Sequence, residues 1–151
     1  MKSMFDRCYN LTSINTSNFN TSNVYDMSDM FYDCSGLTTL DVSTFDTSNV
    51  TTMLQMFNGC SGLTSLDLSN FNTSNVTNMN YMFSGCKSLT TLNVTGWDIS
   101  KVKSKSGFFS NVINLNRLIL GNITQTQYDW WYARLSDFSI QNQVTIEYTI
   151  I

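Results

Sequence analysis

Histidine is missing from all 151 residues, and only 13% of them are charged. Without histidine the commonest general base and metal ligand is gone, and no Ser or Cys has an imidazole to activate it. Proline is missing as well. Basic residues are few. The net charge of −3 and a pI near 4.5 leave no basic stripe of the kind a nucleic-acid partner requires. No apolar run is long enough to cross a bilayer, and Met1 and Lys2 lead into polar residues instead of a signal-peptide core. These gaps point to a chain that is not an enzyme, holds no cofactor or metal, and neither binds nucleic acid nor inserts into a membrane. What remains is rich in Ser, Thr and Asn, so solubility rests on uncharged hydrogen-bonding groups.

What the chain does have is a period. The stretch CSGLTSLDLSNFNTSNVTNMNYMF from Cys60 to Phe83 repeats, nearly unchanged, 26 residues away in either direction. Cys34 precedes GLTTLDVSTFDTSNVTTMLQMF, Cys86 precedes SLTTLNVTGWDISKVKSKSGFF, and Cys8 precedes a worn copy, NLTSINTSNFNTSNVYDMSDMF. A fixed period in this range marks a stacked repeat architecture. Met1 falls in the column of Met27, Met53 and Met79, so the chain is expected to open partway through a coil, as a fragment of a longer protein or from a start codon in that column.

Each copy begins Leu-x-x-Leu-x-Leu/Val, as in Leu63, Leu66 and Leu68, and its last two members alternate with polar residues. That is the period of a strand with one face buried. Phe19, Phe45, Phe71 and Trp97 follow to fill a bend, and a Thr-Ser-Asn-Val turn ends at Val24, Val50, Val76 and Val102. Thr21, Thr47 and Thr73 give way to Ile99, which predicts a half-buried column. Asn23, Asn49 and Asn75 predict an amide ladder serving the bend, ending where Lys101 replaces it. Met-x-x-Met-Phe-x-x-Cys, as in Met53, Met56, Phe57 and Cys60, has the spacing of a short helical or 3₁₀ turn with one apolar stripe. A Met-rich stripe also suits an adaptable binding groove, but its regular recurrence favours core filling. The fifth copy keeps the core spacing through Phe108, Phe109, Val112, Leu115, Leu118 and Leu120, while Lys101, Lys103 and Lys105 form a solvated edge.

Cys8, Cys34, Cys60 and Cys86 share one column. Their spacing by distance alone permits disulfides, but stacked side chains point the same way and Val112 fills the column in the fifth copy. Free, buried thiols acting as small hydrophobes fit better, and no CxxC supports a metal site.

The segment LDLSNFNTSNVTNMNYMFSGC resembles the repeat of the BspA-like leucine-rich-repeat proteins, a bacterial surface family with 26-residue repeats, and the likeness covers residues 1 to about 120. The tail TQTQYDWWYARL resembles the Thr-x-x-x-Tyr-Asp helix that follows the repeats in such proteins. The resemblance implies extracellular or cell-surface display and adhesion to a host or neighbouring cell, or carriage on a phage or other viral particle. The expected fold is a repeat solenoid. It is a leucine-rich-repeat-like stack of about five 26-residue coils with a parallel β ladder over 1–121, capped by a helix and strand in 122–151.

In that tail Thr124 or Thr126 can cap a helix through Leu135. Tyr128, Trp131, Tyr132, Leu135 and Phe138 are expected on its inward face, and Val144, Ile146, Tyr148 and Ile150 alternate as a strand. Trp130 then points away from the stack. It either rests against that strand, near Ile146 or Tyr148, or projects as an anchor for another chain. The first coil has no cap of its own and is expected to fray, or to pair with a neighbouring chain or with upstream repeats.

Outward strand positions form the candidate surface. They are Thr39, Asp41 and Ser43; Ser65, Asp67 and Ser69; Thr91, Asn93 and Thr95. This polar, mildly acidic ribbon suits a wet contact with a protein or glycan, of modest affinity or reinforced by multiple copies. A structural spacer or decoration protein is the alternative. Asp41 and Asp67 lack the oxygens a calcium site takes, and the only Thr-x-Thr triplet, Thr124 to Thr126, lies outside the repeats, against an ice-binding array.

Overall fold

The computed structural model describes residues 1–138, 140–141 and 143–151. It contains a four-stranded, wholly parallel sheet and one helix. The strands are β1 (Ser65–Asp67), β2 (Thr91–Asn93), β3 (Arg117–Ile123) and β4 (Thr145–Ile150), in that spatial order, and α1 (Gln125–Ser136) joins the last two. From β1 to β3 registers advance by one 26-residue repeat, Leu66 pairing with Leu92 and Leu92 with Leu118, and Leu118 then pairs with Ile146 of β4. Parallel neighbours need a crossover of a dozen or more residues, which the remainder of each 26-residue unit supplies.

That crossover is itself tied from repeat to repeat. Met27, Asp29, Phe31 and Asp33 donate their N–H groups to the carbonyls of Thr52, Leu54, Met56 and Asn58, at 2.7–3.1 Å. The intervening Met30, Tyr32 and Cys34 donate three residues back, to Met27, Asp29 and Phe31. The expected helical or 3₁₀ turn is therefore replaced by successive tight turns, which keep the three-residue-back bonds of a 3₁₀ turn but not its continuous run. A helix directs every N–H along its own axis, whereas here every second one is claimed by the neighbouring repeat. The alternation requires left-handed residues, and each repeat has two, such as Asp29 (φ 58°) and Asp33 (φ 53°). Such a conformation costs a non-glycine residue about 1–2 kcal/mol, which the inter-repeat hydrogen bonds offset. Bridges linking Asp26, Thr52, Asn78 and Ser104 form a further parallel column.

The core consists of columns of like residues. Leu40, Leu66, Leu92 and Leu118 are all buried, as are Leu37, Leu63, Leu89 and Leu115. Phe5, Phe31, Phe57, Phe83 and Phe109 stack with centroids 5.5–6.0 Å apart, within the offset-stacking range. Phe19, Phe45 and Phe71 make a second file, and Trp97 Nε1 donates to the Leu68 carbonyl. Thr21, Thr47 and Thr73 are fully buried, not half-buried. Their hydroxyls have partners in the next repeat. Those of Thr47 and Thr73 donate to the carbonyls of Asn72 and Asp98, and that of Thr21 accepts from Asp46 N–H. Asn49 and Asn75 donate to the carbonyls of Ser22 and Ser48. The series does not stop at Lys101, whose Nζ reaches Asn75 Oδ1 at 2.9 Å.

The two ends differ. In the first repeat Met1, Phe5, Cys8, Leu11, Ile14 and Phe19 are only half-buried. Ser3, Phe5 and Arg7 still donate backbone bonds to Ser28, Met30 and Tyr32. Regular strands begin only at Ser65, so the ladder is shorter than the repeat count predicts. The first repeat also differs at Thr16. Leu68 and Val94 donate their N–H to the next repeat, but at the equivalent Asp41 carbonyl the Thr16 hydroxyl is bound, at 2.5 Å.

At the other end Thr124 caps α1 in a capping box. Its Oγ1 accepts from Gln127 N–H, and Gln127 Oε1 accepts from Thr124 N–H. Trp131 and Leu135 are buried against the last repeat, with the Trp131 ring 5.8 Å from Phe108 and 6.0 Å from Trp97. Tyr132 is a correction. It lies 42% exposed, outside the buried face. β4 joins the sheet as its outermost strand instead of covering it. Its alternation gives only partial burial, because Tyr148 and Ile150 stay exposed.

The four thiols are free. Cys34, Cys60 and Cys86 are buried, and each Sγ donates to a carbonyl of the preceding repeat, Phe5, Phe31 and Phe57 respectively. Burial pushes the Cys34 thiol up to about 11 and Cys86 to about 12. Iodoacetamide at mildly alkaline pH is therefore expected to label Cys8 alone in the native protein and all four after denaturation. Mass spectrometry reads the outcome, and native labelling of Cys60 would contradict the buried column. Because these folded-state values are raised, the thiols' contribution to stability is intact below the unfolded-state value and is lost as pH rises through 11–12.

A candidate binding surface on the strands

Two closed turns follow the strand surface in each repeat. Asp41, Asp67 and Asn93 each accept, through Oδ1, the N–H two residues on, from Ser43, Ser69 and Thr95 at 2.9–3.1 Å. The same Asx closure recurs one bend later, where Asn20, Asp46, Asn72 and Asp98 accept from Ser22, Ser48, Ser74 and Ser100. These side chains bond the backbone locally in the way that makes Asp and Asn turn residues. The Ser43 hydroxyl and N–H hold Asp41 below the usual carboxylate range, and the Ser69 N–H and hydroxyl do the same for Asp67.

The ribbon divides accordingly. Ser65 and Thr91 pair in register, exposed and half-buried respectively, and Thr39 is exposed at the equivalent position of the preceding repeat. Ser43 and Ser69 are exposed, and Thr95 is half-buried with its hydroxyl bonded to Asn93. Asp41, Asp67 and Asn93 face outward too, but one oxygen of each is committed to its turn. At the far end Arg117 and Glu147 form a two-point ion pair, at 2.5 and 3.0 Å. Both are nearly half exposed, so the pair aligns β4 more than it stabilises.

Trp130 stands apart from the ribbon. Its ring packs edge-on against Phe108 at 5.8 Å and against Trp131 at 4.8 Å. Lys105 Nζ and Arg134 Cζ lie 5.7 and 5.6 Å from its centroid, within cation–π range. It is therefore half-buried against the last repeat, and the contact with Tyr148 belongs to Tyr128, at 4.7 Å. The reason is helical geometry. Trp130 and Tyr132 each lie about 100° from Trp131, on opposite sides. The side walled by Phe108 and Lys105 covers Trp130, leaving Tyr132 exposed.

A family description matches residues 1–122. The chain belongs to the family described as Mycoplasma protein of unknown function, DUF285. No curated protein and no solved structure matches it. In this DUF285 chain the matched segment holds every ribbon residue, and α1 and β4 follow it. Among the described residues no group of three His, Cys, Asp or Glu side chains is placed to hold a metal ion. Among the described residues no helix is long and apolar enough to cross a membrane. The Asx turns were missed in the sequence reading, although the signal, Asp or Asn two residues before Ser or Thr, recurs at both bends of each repeat.

Proposed function

We propose that this chain is a non-enzymatic binding module, displayed on a cell surface, whose 26-residue repeats stack as a solenoid of about five coils. The similarity to BspA-like surface repeats supports display and adhesion, with a host or neighbouring cell supplying the protein or glycan partner. The observation that carries the reading is the ribbon of Thr39, Ser65 and Thr91 at equivalent positions of consecutive repeats, the last two paired in register, followed by turns that Asp41, Asp67 and Asn93 close. A surface fixed in advance loses little conformational freedom on binding. It offers no Trp anchor, and its one arginine, Arg117, is spent on Glu147, so single contacts are weak and many copies act together.

Beads coated with the protein should adhere to cultured epithelial cells more than albumin-coated beads do. The triple substitution Thr39→Arg, Ser65→Arg, Thr91→Arg should remove the difference. Equal adhesion of protein-coated and albumin-coated beads would instead favour the second reading, a spacer or decoration protein of a cell surface or viral particle. The half-buried first repeat supports that alternative, since an open end with Met4 and Tyr9 exposed suits self-association or a neighbouring repeat.

A further inference from the structure

Beside the tight turns that precede the strands runs a groove of about 320 Å³, at the small end of the range for small-molecule sites. We propose that this groove, between Asp33 and Asn111, binds a short neutral oligosaccharide.

The floor follows one backbone column. Arg7, Asp33, Gly59, Gly85 and Asn111 occupy equivalent left-handed positions, and side chains are absent only in the third and fourth repeats. Asp33 Oδ1 lies 1.9 Å from where a Cβ on Gly59 would stand. A larger residue there would push the carboxylate off the floor. Three repeat steps of roughly 4.8 Å give a trench of about 14 Å from Asp33 to Asn111.

The walls are polar and unspent. Asn58, Ser61 and Ser84 face the groove with Asp33 and Asn111, and no side-chain hydrogen bond among the described residues occupies any of them. The ribbon differs, because its Asp and Asn oxygens close turns. A carboxylate, two amides and hydroxyls together both accept and donate at short intervals, which matches the vicinal hydroxyls of a sugar. No apolar slot lines the groove to hold a peptide anchor. Tyr9, 52% exposed at one end, offers a ring for the apolar face of a pyranose. Lys87 opposes the charge of Asp33 within the same lining, which favours a neutral ligand over an acidic one.

The site shares no residue with the ribbon, so its test is independent of the bead assay. Saturation-transfer NMR of the whole chain with maltotriose, lactose and N,N′-diacetylchitobiose, and with an oligouronate for comparison, reads binding directly. At least one neutral sugar should receive transfer. Gly85→Asn places in the floor the residue that position 111 already carries, and it should weaken that sugar at least about tenfold. Asn58→Ala, a surface change that leaves the backbone alone, should weaken it several-fold, while Ser65→Ala should have no effect. Transfer to none of the neutral sugars, transfer to the oligouronate only, or undiminished affinity in both groove variants would overturn the proposal.

Discussion

Leu66→Ala is expected to lower the unfolding free energy by about 2–5 kcal/mol, whereas Ser65→Ala should change it by less than about 0.5 kcal/mol. The two residues are adjacent in β1 and point to opposite faces. Leu66 is buried and paired in register with Leu92, in the middle of a leucine column, and removing its side chain leaves a cavity between two repeats that other contacts prevent from closing. Ser65 is exposed and its hydroxyl makes no hydrogen bond within the described residues. Urea titration with the slope held in common measures both. Equal shifts of the midpoint would mean that the strand faces are assigned wrongly.

A loss of about 3–5 kcal/mol is expected from Trp131→Ala, and a smaller but clear loss from Trp130→Ala. Trp131 is nearly inaccessible and touches Trp97, Phe108 and Phe109, so it closes both aromatic files of the repeats. Trp130 contributes one edge contact with Phe108 and the two cations over its ring. Thermal melts of the two variants should therefore rank Trp131→Ala as the more damaging, with both below the parent protein. An unchanged melting temperature for Trp130→Ala would return that residue to the role of an exposed anchor.

The strand faces, the leucine and phenylalanine columns and a helix start at Thr124 or Thr126 were legible because each rests on a period or a cap that the chain spells out, and the structure takes Thr124. The Met-x-x-Met-Phe segment was misread for a physical reason. Spacings of three and four are shared by helices and by successive tight turns, and only the inter-repeat bonds of Met27, Asp29, Phe31 and Asp33 separate them. Left-handed Asp29, Gln55 and Tyr81 give no such warning, since only Gly107 in that column is a glycine. The placement of Trp130 was beyond a helical wheel, because which flank of Trp131 is walled depends on where Phe108 and Lys105 come to lie. The groove between Asp33 and Asn111 was equally hidden. Its residues come from different repeats and become neighbours only when those repeats stand side by side.

That each repeat lies against the ones 26 residues before and after it is tested most directly by methyl-labelled NMR of the leucines and isoleucines. Stacked repeats predict cross-peaks that link Leu66 to Leu92, Leu92 to Leu118 and Leu118 to Ile146, with Leu40 next to Leu66 and no direct contact between Leu40 and Leu118. Absence of the Leu66–Leu92 and Leu92–Leu118 contacts, or contacts that skip a repeat, would contradict the stack and every surface built on it.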